Sequence, residues 1–511
     1  MRRDTSSALL NRLPPFLLIL AVFSLSMYVP ALYALVRDNH PPARSFFYTG
    51  TMGLFIVALI ALALGNRPTR YSSLGQLNSL LATYVALPAF LAIPFFDTLP
   101  TTAYLNAYFD MVSAITTTGM NLFDDPDRLP NVLHLWRAQV AWMGGLLMWI
   151  AASAVLAPLS LGGFEVTAQG EPGLSVPSSG QMVRADPRKR LYRAAAGLAP
   201  VYVGLTFVVW TLLMMSGERT LTGLSHAMSV MATSGLSPVG GVPEAASGFA
   251  GEAILFLFMF FALSRLTFSS DTVTRGYARL DKDPEFRIGL LLVLGVPILL
   301  FARHWLAVLD VSDTAALTEQ AVKAFWGATF TVMSFLTTTG FVSADWQAAQ
   351  SWSGLNTPGL ILMGLALMGG GVATTAGGVK LLRVFALYLN GLREVERLVH
   401  PSSVSGSVGA NQRIQRGGAF VAWIFFMLFA MSLALITVAL AILGVEFEQA
   451  IILSIASLST TGPLTEVAGE MPIRLAELGA LPKYVLCAAM VLGRLETLAI
   501  IALLAPSLWR N

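Results

Sequence analysis

Four short runs of small and β-branched residues, each closed by a glycine, are the residues whose types and spacing could do chemistry. They are Ile115-Thr-Thr-Thr-Gly119, Met231-Ala-Thr-Ser-Gly235, Leu336-Thr-Thr-Thr-Gly340 and Leu458-Ser-Thr-Thr-Gly462, which we name runs 1 to 4. Their glycines follow one another at intervals of 116, 105 and 122 residues. A single run of this kind is typical of a loop turn, but four copies at near-constant spacing indicate an internal duplication.

The chemistry that suits these runs is coordination of a cation by backbone oxygens. β-Branched residues favour extended backbone, and glycine permits φ values that aim a carbonyl group inward. Four such strands around one axis would present rings of carbonyl oxygens, which can replace the hydration shell of an alkali cation. We expect a short helix before each run, with its negative C-terminal end toward the axis. These helices are predicted at 104–114, 221–230, 321–335 and 447–455.

The elements that must position the runs are membrane-spanning helices. Of the 511 residues, 55% are hydrophobic and only 12% are charged, whereas soluble domains carry about 25% charged residues. The single cysteine, Cys487, excludes a disulfide scaffold and a cysteine-based metal site. Ten apolar stretches approach the length of about 20 residues that crosses a bilayer: 13–36, 46–64, 77–96, 133–161, 191–215, 252–268, 288–301, 355–389, 418–443 and 485–508. The composition therefore predicts an all-α polytopic membrane protein.

The basic residues indicate the orientation of these helices. Arginine and lysine concentrate in alternate loops, above all at 184–193, 265–287 and 380–416. Because loops rich in basic residues stay in the cytoplasm, both termini are predicted to be cytoplasmic. This preference of arginine and lysine for cytoplasmic loops is by itself a sufficient explanation for the basic character of these segments.

Each run lies between two apolar stretches, which predicts a repeat of helix, re-entrant loop and helix. Non-helical backbone is tolerated within a membrane only where protein buries it or it lines an aqueous path. The fold expected is four pseudo-symmetric repeats around one ion pore after a two-helix N-terminal addition. The predicted boundaries are 1–72 for the addition and 73–175, 176–280, 281–400 and 401–511 for the repeats.

Six glycines within 364–378 interrupt an otherwise span-length stretch. Glycine costs about 1 kcal/mol in a helix interior, so we expect a broken helix and a flexible intramembrane loop beneath the runs that acts as a gate. Close packing of helices through small residues is the alternative.

Arg494 lies in the middle of the last apolar stretch. An ionisable residue at that depth is a candidate for function. A purely structural pair with Glu496 is the alternative.

Further motifs carry a family resemblance over nearly the whole chain. With the four runs, the sequence resembles the Trk/Ktr/HKT superfamily of potassium transporters, and most closely its TrkH branch. The motifs are Leu135-Trp-Arg-Ala-Gln139, Trp142-Met-Gly-Gly145, Gly369-Gly-Gly-Val-Ala-Thr-Thr-Ala-Gly-Gly378 with Lys380 and Arg383, Gly493-Arg-Leu-Glu496, and Pro506-Ser-Leu-Trp-Arg510.

The resemblance implies a selectivity filter and a gate. The implied K⁺-binding residues are Thr117, Thr118, Gly119, Thr233, Ser234, Gly235, Thr338, Thr339, Gly340, Thr460, Thr461 and Gly462. The implied gating residues are Gly369, Gly370, Gly371, Gly377, Gly378, Lys380 and Arg494. Glycine in all four runs goes with K⁺ permeation in the family, whereas serine in the first is associated with Na⁺ selectivity in some plant relatives. The sequence departs from the family pattern at Ser234, Leu236, Thr460 and Thr461.

The implied function is K⁺ uptake across the bacterial inner membrane through a gated, channel-like pore, without enzymatic activity. The chain has no nucleotide-binding fingerprint and no cofactor is expected in it. The resemblance instead implies a cytosolic TrkA-like RCK subunit that binds ATP, ADP or NAD, and pairing as a homodimer; no nucleic acid is expected. The alternatives are a Na⁺-permeable or ion-coupled (Na⁺ or H⁺) symporter of the same fold, and a membrane-embedded transferase using Asp124-Asp-Pro-Asp127. That acidic cluster also suits a vestibule that concentrates cations.

Overall fold

The computed structural model describes residues 14–64, 73–123, 125–157, 187–264, 283–307, 314–353, 358–400 and 416–496. All regular secondary structure in these ranges is helical. Seven helical segments have the length and apolar composition to cross a membrane: Pro15–Val36, His40–Leu64, Gly75–Thr98, Asn131–Leu156, Arg190–Met215, Pro284–Ala302 and Gly418–Ile442. The prediction of an all-α polytopic membrane protein is thus confirmed.

The N-terminal half begins with two membrane spans and continues with the helices around runs 1 and 2. The first span consists of α1 Pro15–Ser26 and α2 Tyr28–Val36, and the second is α3 His40–Leu64. The helices around run 1 are α4 Ser73–Val85, α5 Leu87–Thr98, α6 Tyr104–Ile115 and α7 Asn131–Ala151, the last continued by a π-helical turn at Ala152–Leu156. The helices around run 2 are α8 Pro187–Met215, α9 Thr220–Ala232 and α10 Gly248–Met259. Pro88, in the first turn of α5, lacks the N–H that would continue α4, so the span bends there.

The C-terminal half holds the helices around runs 3 and 4. The helices around run 3 are α11 Pro284–Ala307, α12 Thr314–Leu336, α13 Trp346–Ser353, α14 Gly359–Met368 and α15 Leu381–Val399. The helices around run 4 are α16 Arg416–Ile442, α17 Phe447–Leu458, α18 Leu464–Val467 and α19 Ala480–Leu495.

The helix before each run packs on a helix beside another run as well as on one beside its own. Helix α9 contacts α7, α12 contacts α10, α17 contacts α14, and α6 contacts α19. These four contacts form a closed cycle around the molecule. The cycle brings the C-terminal ends of α6, α9, α12 and α17 together, and runs 1 to 4 follow directly from those ends.

The structure corrects two of the predicted elements. The stretch 355–389 is not one span, because α14 ends at Met368 and α15 begins at Leu381. Helix α12 is longer than the short helix expected at 321–335, since it begins at Thr314. The stretch 252–268 overlaps the shorter apolar helix Gly248–Ala262, which begins four residues earlier.

Several predicted features lie outside the described residues. They are both chain termini, Asp124, residues 184–186, 265–282 and 401–415 of the basic segments, and the motif at 506–510.

Candidate functional site

In every run, the threonine two residues before the glycine has the same unusual backbone conformation. Their φ angles are +54° at Thr117, +53° at Thr233, +57° at Thr338 and +53° at Thr460. This left-handed region is a genuine outlier for a β-branched residue, and each instance costs about 1–3 kcal/mol. The expectation of an extended strand is therefore wrong at these four positions.

A common hydrogen-bonded turn holds the four threonines in this conformation. In each run the residue after the threonine donates its N–H to a carbonyl five residues earlier, on the helix that has just ended. The bonds are Thr118 to Ser113 at 2.9 Å, Ser234 to Ser229 at 3.0 Å, Thr339 to Ser334 at 2.8 Å and Thr461 to Ala456 at 2.8 Å. This is the usual way in which a left-handed residue closes a helix C-terminus, although glycine normally occupies that position. The same strain in four copies indicates a functional geometry.

Gly119 and Gly235 pack against the backbone of the next run, and Gly340 packs against Pro463, which directly follows run 4. A Cβ on Gly119 would lie 1.6 Å from the carbonyl oxygen of Ser234, and one on Gly235 would lie 2.4 Å from that of Thr339. A Cβ on Gly340 would lie 2.7 Å from Cγ of Pro463. Run 1 therefore meets run 2, run 2 meets run 3, and run 3 meets the proline after run 4, with no room for a side chain at these contacts.

Run 4 closes this cycle against run 1. The N–H of Gly462 donates a hydrogen bond of 2.6 Å to the carbonyl oxygen of Thr118. Gly119, Gly235 and Gly340 have φ angles of +70°, +65° and +84°, but Gly462 does not share the positive φ. Gly462 precedes Pro463, and the residue before a proline is biased toward extended backbone.

A buried loop at residues 369–380, which we name the Gly-rich loop, lies directly against runs 2, 3 and 4. The N–H of Gly377 donates to Oγ1 of Thr338 at 2.8 Å. The hydroxyl of Thr375 donates to the carbonyl of Met231 at 3.1 Å. A Cβ on Gly377 would lie 2.1 Å from the carbonyl oxygen of Ser459. Five of the six glycines within 364–378 therefore fall at a real break between α14 and α15, and the break contacts the runs.

The two ends of the Gly-rich loop pair with each other and with neighbouring helices. Backbone bonds join the loop's exit to its entrance: Val379 to Leu367 at 2.9 Å, Lys380 to Met368 at 2.9 Å, and Leu381 to Gly370 at 3.0 Å. A Cβ on Gly369 would lie 2.1 Å from the carbonyl of Gly377 and 2.8 Å from Cα of Gly378. On the other side, the buried carboxylate of Glu285 accepts the N–H of Val372 at 2.8 Å, and the N–H of Gly371 donates to Ala262 at 2.9 Å.

Two buried cations hold carbonyl groups of this loop. Arg494 is 2% exposed, and its Nη1 donates to the carbonyl oxygen of Thr375 at 2.7 Å. The ammonium group of Lys380 donates to the carbonyl oxygen of Ala376. The predicted gating residues Gly369, Gly370, Gly371, Gly377, Gly378, Lys380 and Arg494 are therefore brought together next to the runs.

The alternative pairing of Arg494 with Glu496 is not what the structure shows. Glu496 forms a 2.6 Å ion pair with Arg383, and the two side chains are 6% and 0% exposed. The guanidinium of Arg383 also lies over the ring of Phe425, 3.6 Å from its centroid. The sequence analysis missed this pair, although both residues occur in motifs that carried the resemblance.

Strained backbone is concentrated in this region. Across the described residues, eight non-glycine residues have a positive φ. Four are the run threonines, and three more, Ala373, Lys380 and Glu496, lie in the Gly-rich loop or directly after α19. Only Asp38 lies elsewhere. Ala373, Thr375 and Glu496 lie in motifs that carried the resemblance, although no functional role was expected for them, whereas Glu285 had no signal in the sequence.

The acidic cluster after run 1 does not form a metal site in the part of the chain that the structure describes. No group of three or more His, Cys, Asp or Glu side chains there could hold a metal ion. Asp124 itself lies outside the described residues. The carboxylate of Asp125 accepts the N–H of Asp127 at 3.0 Å and caps a short 3₁₀ turn.

Comparisons with known proteins agree with this geometry. The family model TrkH, described as a cation transport protein, matches residues 249–510. The Trk system potassium uptake protein TrkH of Halomonas elongata is 30% identical, over 97% of this chain and 98% of its own length. The protein of the same name from Escherichia coli K12 is 27% identical, again over 97% and 98%.

A solved structure has the same fold. The crystal structure of the potassium transporter TrkH from Vibrio parahaemolyticus superposes with a TM-score of 0.76 at 26% identity, over 97% of this chain and 98% of that one. The resemblance deduced from the motifs is thereby confirmed. The chain belongs to the TrkH family of cation transport proteins.

Proposed function

We propose that this protein takes up K⁺ across the bacterial inner membrane through a gated, channel-like pore. The family is one of transport proteins and not of enzymes, which removes the transferase alternative. The relatives from Halomonas elongata and Escherichia coli are named as potassium uptake proteins. Their similarity extends over nearly the whole chain, which supports the same cargo here.

The closed cycle of contacts among runs 1 to 4 is the observation that carries this proposal. In the proposed pore, backbone oxygens of the four runs coordinate K⁺ in place of water. The residues concerned are Thr117, Thr118, Gly119, Thr233, Ser234, Gly235, Thr338, Thr339, Gly340, Thr460, Thr461 and Gly462. The four repeats with boundaries at 73–175, 176–280, 281–400 and 401–511, after the addition at 1–72, each supply one run.

Two physical features favour a cation at this point. The C-terminal ends of α6, α9, α12 and α17 carry the negative ends of four helix dipoles, and the runs begin there. The strained threonines are held by hydrogen bonds within each turn, so their carbonyl groups are fixed before an ion arrives. Such pre-organised oxygens need little rearrangement when the ion exchanges its water for them.

The Gly-rich loop is the gate in this mechanism. It contacts runs 2, 3 and 4, and Lys380 and Arg494 hold its carbonyl groups. Opening requires the hydrogen bonds of Gly377 to Thr338 and of Arg494 to Thr375 to break. Because two buried positive charges lie next to the path, they also repel a cation while the loop is closed.

Regulation and assembly follow the family pattern in this proposal. A cytosolic TrkA-like RCK subunit that binds ATP, ADP or NAD contacts the basic cytoplasmic loops and moves the gate, and two copies of the chain form a homodimer. Both termini face the cytoplasm. The concentration of arginine and lysine in the loops 184–193, 265–287 and 380–416 supports this orientation.

Growth at low external K⁺ tests the proposed function. Expression of the chain, alone and with a TrkA-like subunit, should rescue a bacterial strain that lacks its own K⁺ uptake systems. Added Na⁺ should compete weakly. No rescue by a chain that is shown to reach the membrane would contradict K⁺ uptake, and rescue that requires Na⁺ would favour the coupled symporter.

A further inference from the structure

Glu252 is a buried carboxylate that links two repeats next to run 3. It lies on α10, in the repeat of run 2, and is 3% exposed. Its Oε1 accepts the N–H of Ala344 at 2.7 Å. Its Oε2 accepts the indole N–H of Trp326 at 2.8 Å and the hydroxyl of Ser343 at 2.8 Å. All three donors belong to the repeat of run 3.

The segment held by Glu252 follows run 3 directly. Ser343 and Ala344 lie three and four residues after Gly340. The N–H of Ser343 also donates to Oγ1 of Thr331 on α12, at 3.3 Å. A Cβ on Gly327 of α12 would lie 2.5 Å from the carbonyl oxygen of Asp345. The segment is therefore fixed between α12 on one side and the Glu252 carboxylate on the other.

The segments that follow runs 1 and 2 are held by side chains of their own repeats. After run 1, Arg137 forms an ion pair with Asp110 at 2.9 Å and donates to Asn121 at 3.1 Å. After run 2, the ring Nε2 of His226 and the hydroxyl of Ser237 are 2.9 Å apart. Among these tethers in the described part of the chain, the carboxylate of Glu252 is the one that comes from a neighbouring repeat.

The chemistry of this contact suits a carboxylate. Three donors converge on two oxygens, and a carboxylate can accept all of them whereas an amide would turn an N–H toward a donor. Within the described residues no lysine or arginine forms an ion pair with Glu252, so hydrogen bonds compensate the buried charge. Hydrogen bonds to an ionised acceptor are roughly twice as strong as neutral ones, and losing the acceptor would leave buried donors unpaired.

We propose that Glu252 is a specificity-determining positioning residue, which fixes the carbonyl groups of run 3 and so sets the discrimination of K⁺ from Na⁺. This inference rests on the proposed pore. K⁺ is favoured only when the coordinating oxygens have a defined number and spacing. A run whose following segment can move is free to close around the smaller Na⁺.

The test compares K⁺ and Na⁺ fluxes in proteoliposomes that contain the purified full chain. Glu252→Gln should lower the ratio of K⁺ flux to Na⁺ flux by about tenfold, the equivalent of losing one charged hydrogen bond. Trp326→Phe and Ser343→Ala, which each remove one donor, should give smaller decreases. Glu244→Gln, at an exposed carboxylate on the segment before α10, is the matched control and should keep the wild-type ratio.

The flux ratio separates positioning from a loss of folded protein, because fewer active molecules lower both fluxes equally. A wild-type ratio in Glu252→Gln would overturn the proposal. If that variant does not fold, a wild-type ratio in both Trp326→Phe and Ser343→Ala would overturn it instead. Absence of K⁺ flux in the wild-type chain would contradict the pore itself, which is a different outcome.

Discussion

Arg494 and Thr375 are joined by a hydrogen bond of 2.7 Å from the Nη1 of the guanidinium to the backbone carbonyl. The hydroxyl of the same threonine donates to Met231 at the start of run 2, at 3.1 Å. One loop residue thus connects a buried arginine to the proposed filter. Because charge-assisted hydrogen bonds are among the stronger ones in proteins, the position of the Gly-rich loop depends on Arg494.

Arg494→Ala should raise the basal cation flux. The substitution removes both the hydrogen bond that holds the closed loop and a positive charge beside the path. Loss of one charged hydrogen bond corresponds to a rise of about tenfold, measured as Rb⁺ uptake into proteoliposomes without a regulatory subunit. Arg494→Lys keeps the charge and should give a smaller rise.

Arg474→Ala is the control for this experiment. Its side chain is 68% exposed and pairs only with a neighbouring exposed glutamate, so its flux should match that of the wild type. Unchanged or lower flux in a well-expressed Arg494→Ala protein would count against its role as a barrier.

Gly119→Ser should admit more Na⁺ relative to K⁺. Gly119 has a φ of +70°, and a Cβ there would lie 1.6 Å from the carbonyl oxygen of Ser234. A serine must therefore displace a carbonyl of run 2 as well as strain its own backbone. The measurement is the reversal potential, or the ratio of K⁺ and Na⁺ fluxes, in proteoliposomes.

Gly444→Ser separates the two effects of Gly119→Ser, which are strain in the backbone of the substituted residue and displacement of a carbonyl group of run 2. Gly444 has a φ of +88° with no atom within 4 Å of the added Cβ, so serine there has a similar backbone strain and displaces nothing. Its selectivity should be that of the wild type. Identical selectivity in Gly119→Ser would reject carbonyl coordination at run 1.

The sequence was sufficient to predict the runs, the helices before them and the break in the third repeat. The Thr-Thr-Gly runs, the lengths of the apolar stretches and the density of glycines are local signals, because each depends on residues that are close together in the sequence. The left-handed threonines could not be predicted, because a β-branched residue normally avoids that conformation. Only the packing of four helix ends against one another compensates for its cost.

The partner of Glu496 shows the same limit. The alternative that it pairs with Arg494 places two residues together that are two apart, and residues i and i+2 on a helix do not face each other. Helix α19 in fact ends at Leu495, and Glu496 turns away with a φ of +63°. Its true partner, Arg383, is 113 residues away, and such a contact follows from the tertiary fold alone.

Glu496→Gln should destabilise the protein strongly. The ion pair with Arg383 is buried, and removing one partner of such a pair costs about 3–5 kcal/mol because the other charge stays in the interior. We expect a lower unfolding temperature of the detergent-solubilised protein. The double variant Arg383→Leu with Glu496→Leu should lose less stability than the sum of the two single variants.

The pair Lys323 and Glu319 provides the comparison. Its N–O distance of 2.8 Å is similar, but its side chains are 53% and 73% exposed. Lys323→Ala should leave the unfolding temperature unchanged. Equal decreases in unfolding temperature for Glu496→Gln and Lys323→Ala would show that burial does not determine the strength of the Arg383–Glu496 contact.

Gly377→Ala should open the gate by steric exclusion. A methyl group at this position would lie 2.1 Å from the carbonyl oxygen of Ser459 and 2.2 Å from Oγ1 of Thr460. The loop must then move away from run 4, and the bond of Gly377 to Thr338 is lost with it. Basal Rb⁺ flux should rise several-fold, while thermal stability falls.

Gly364→Ala is the matched control, since it lies on α14 of the same glycine-rich stretch with nothing within 4 Å of the added methyl group. Alanine there removes the cost of about 1 kcal/mol that glycine has in a helix interior, so stability should rise and flux should not change. Equal fluxes in the two variants would mean that the contact between the Gly-rich loop and run 4 does not close the path.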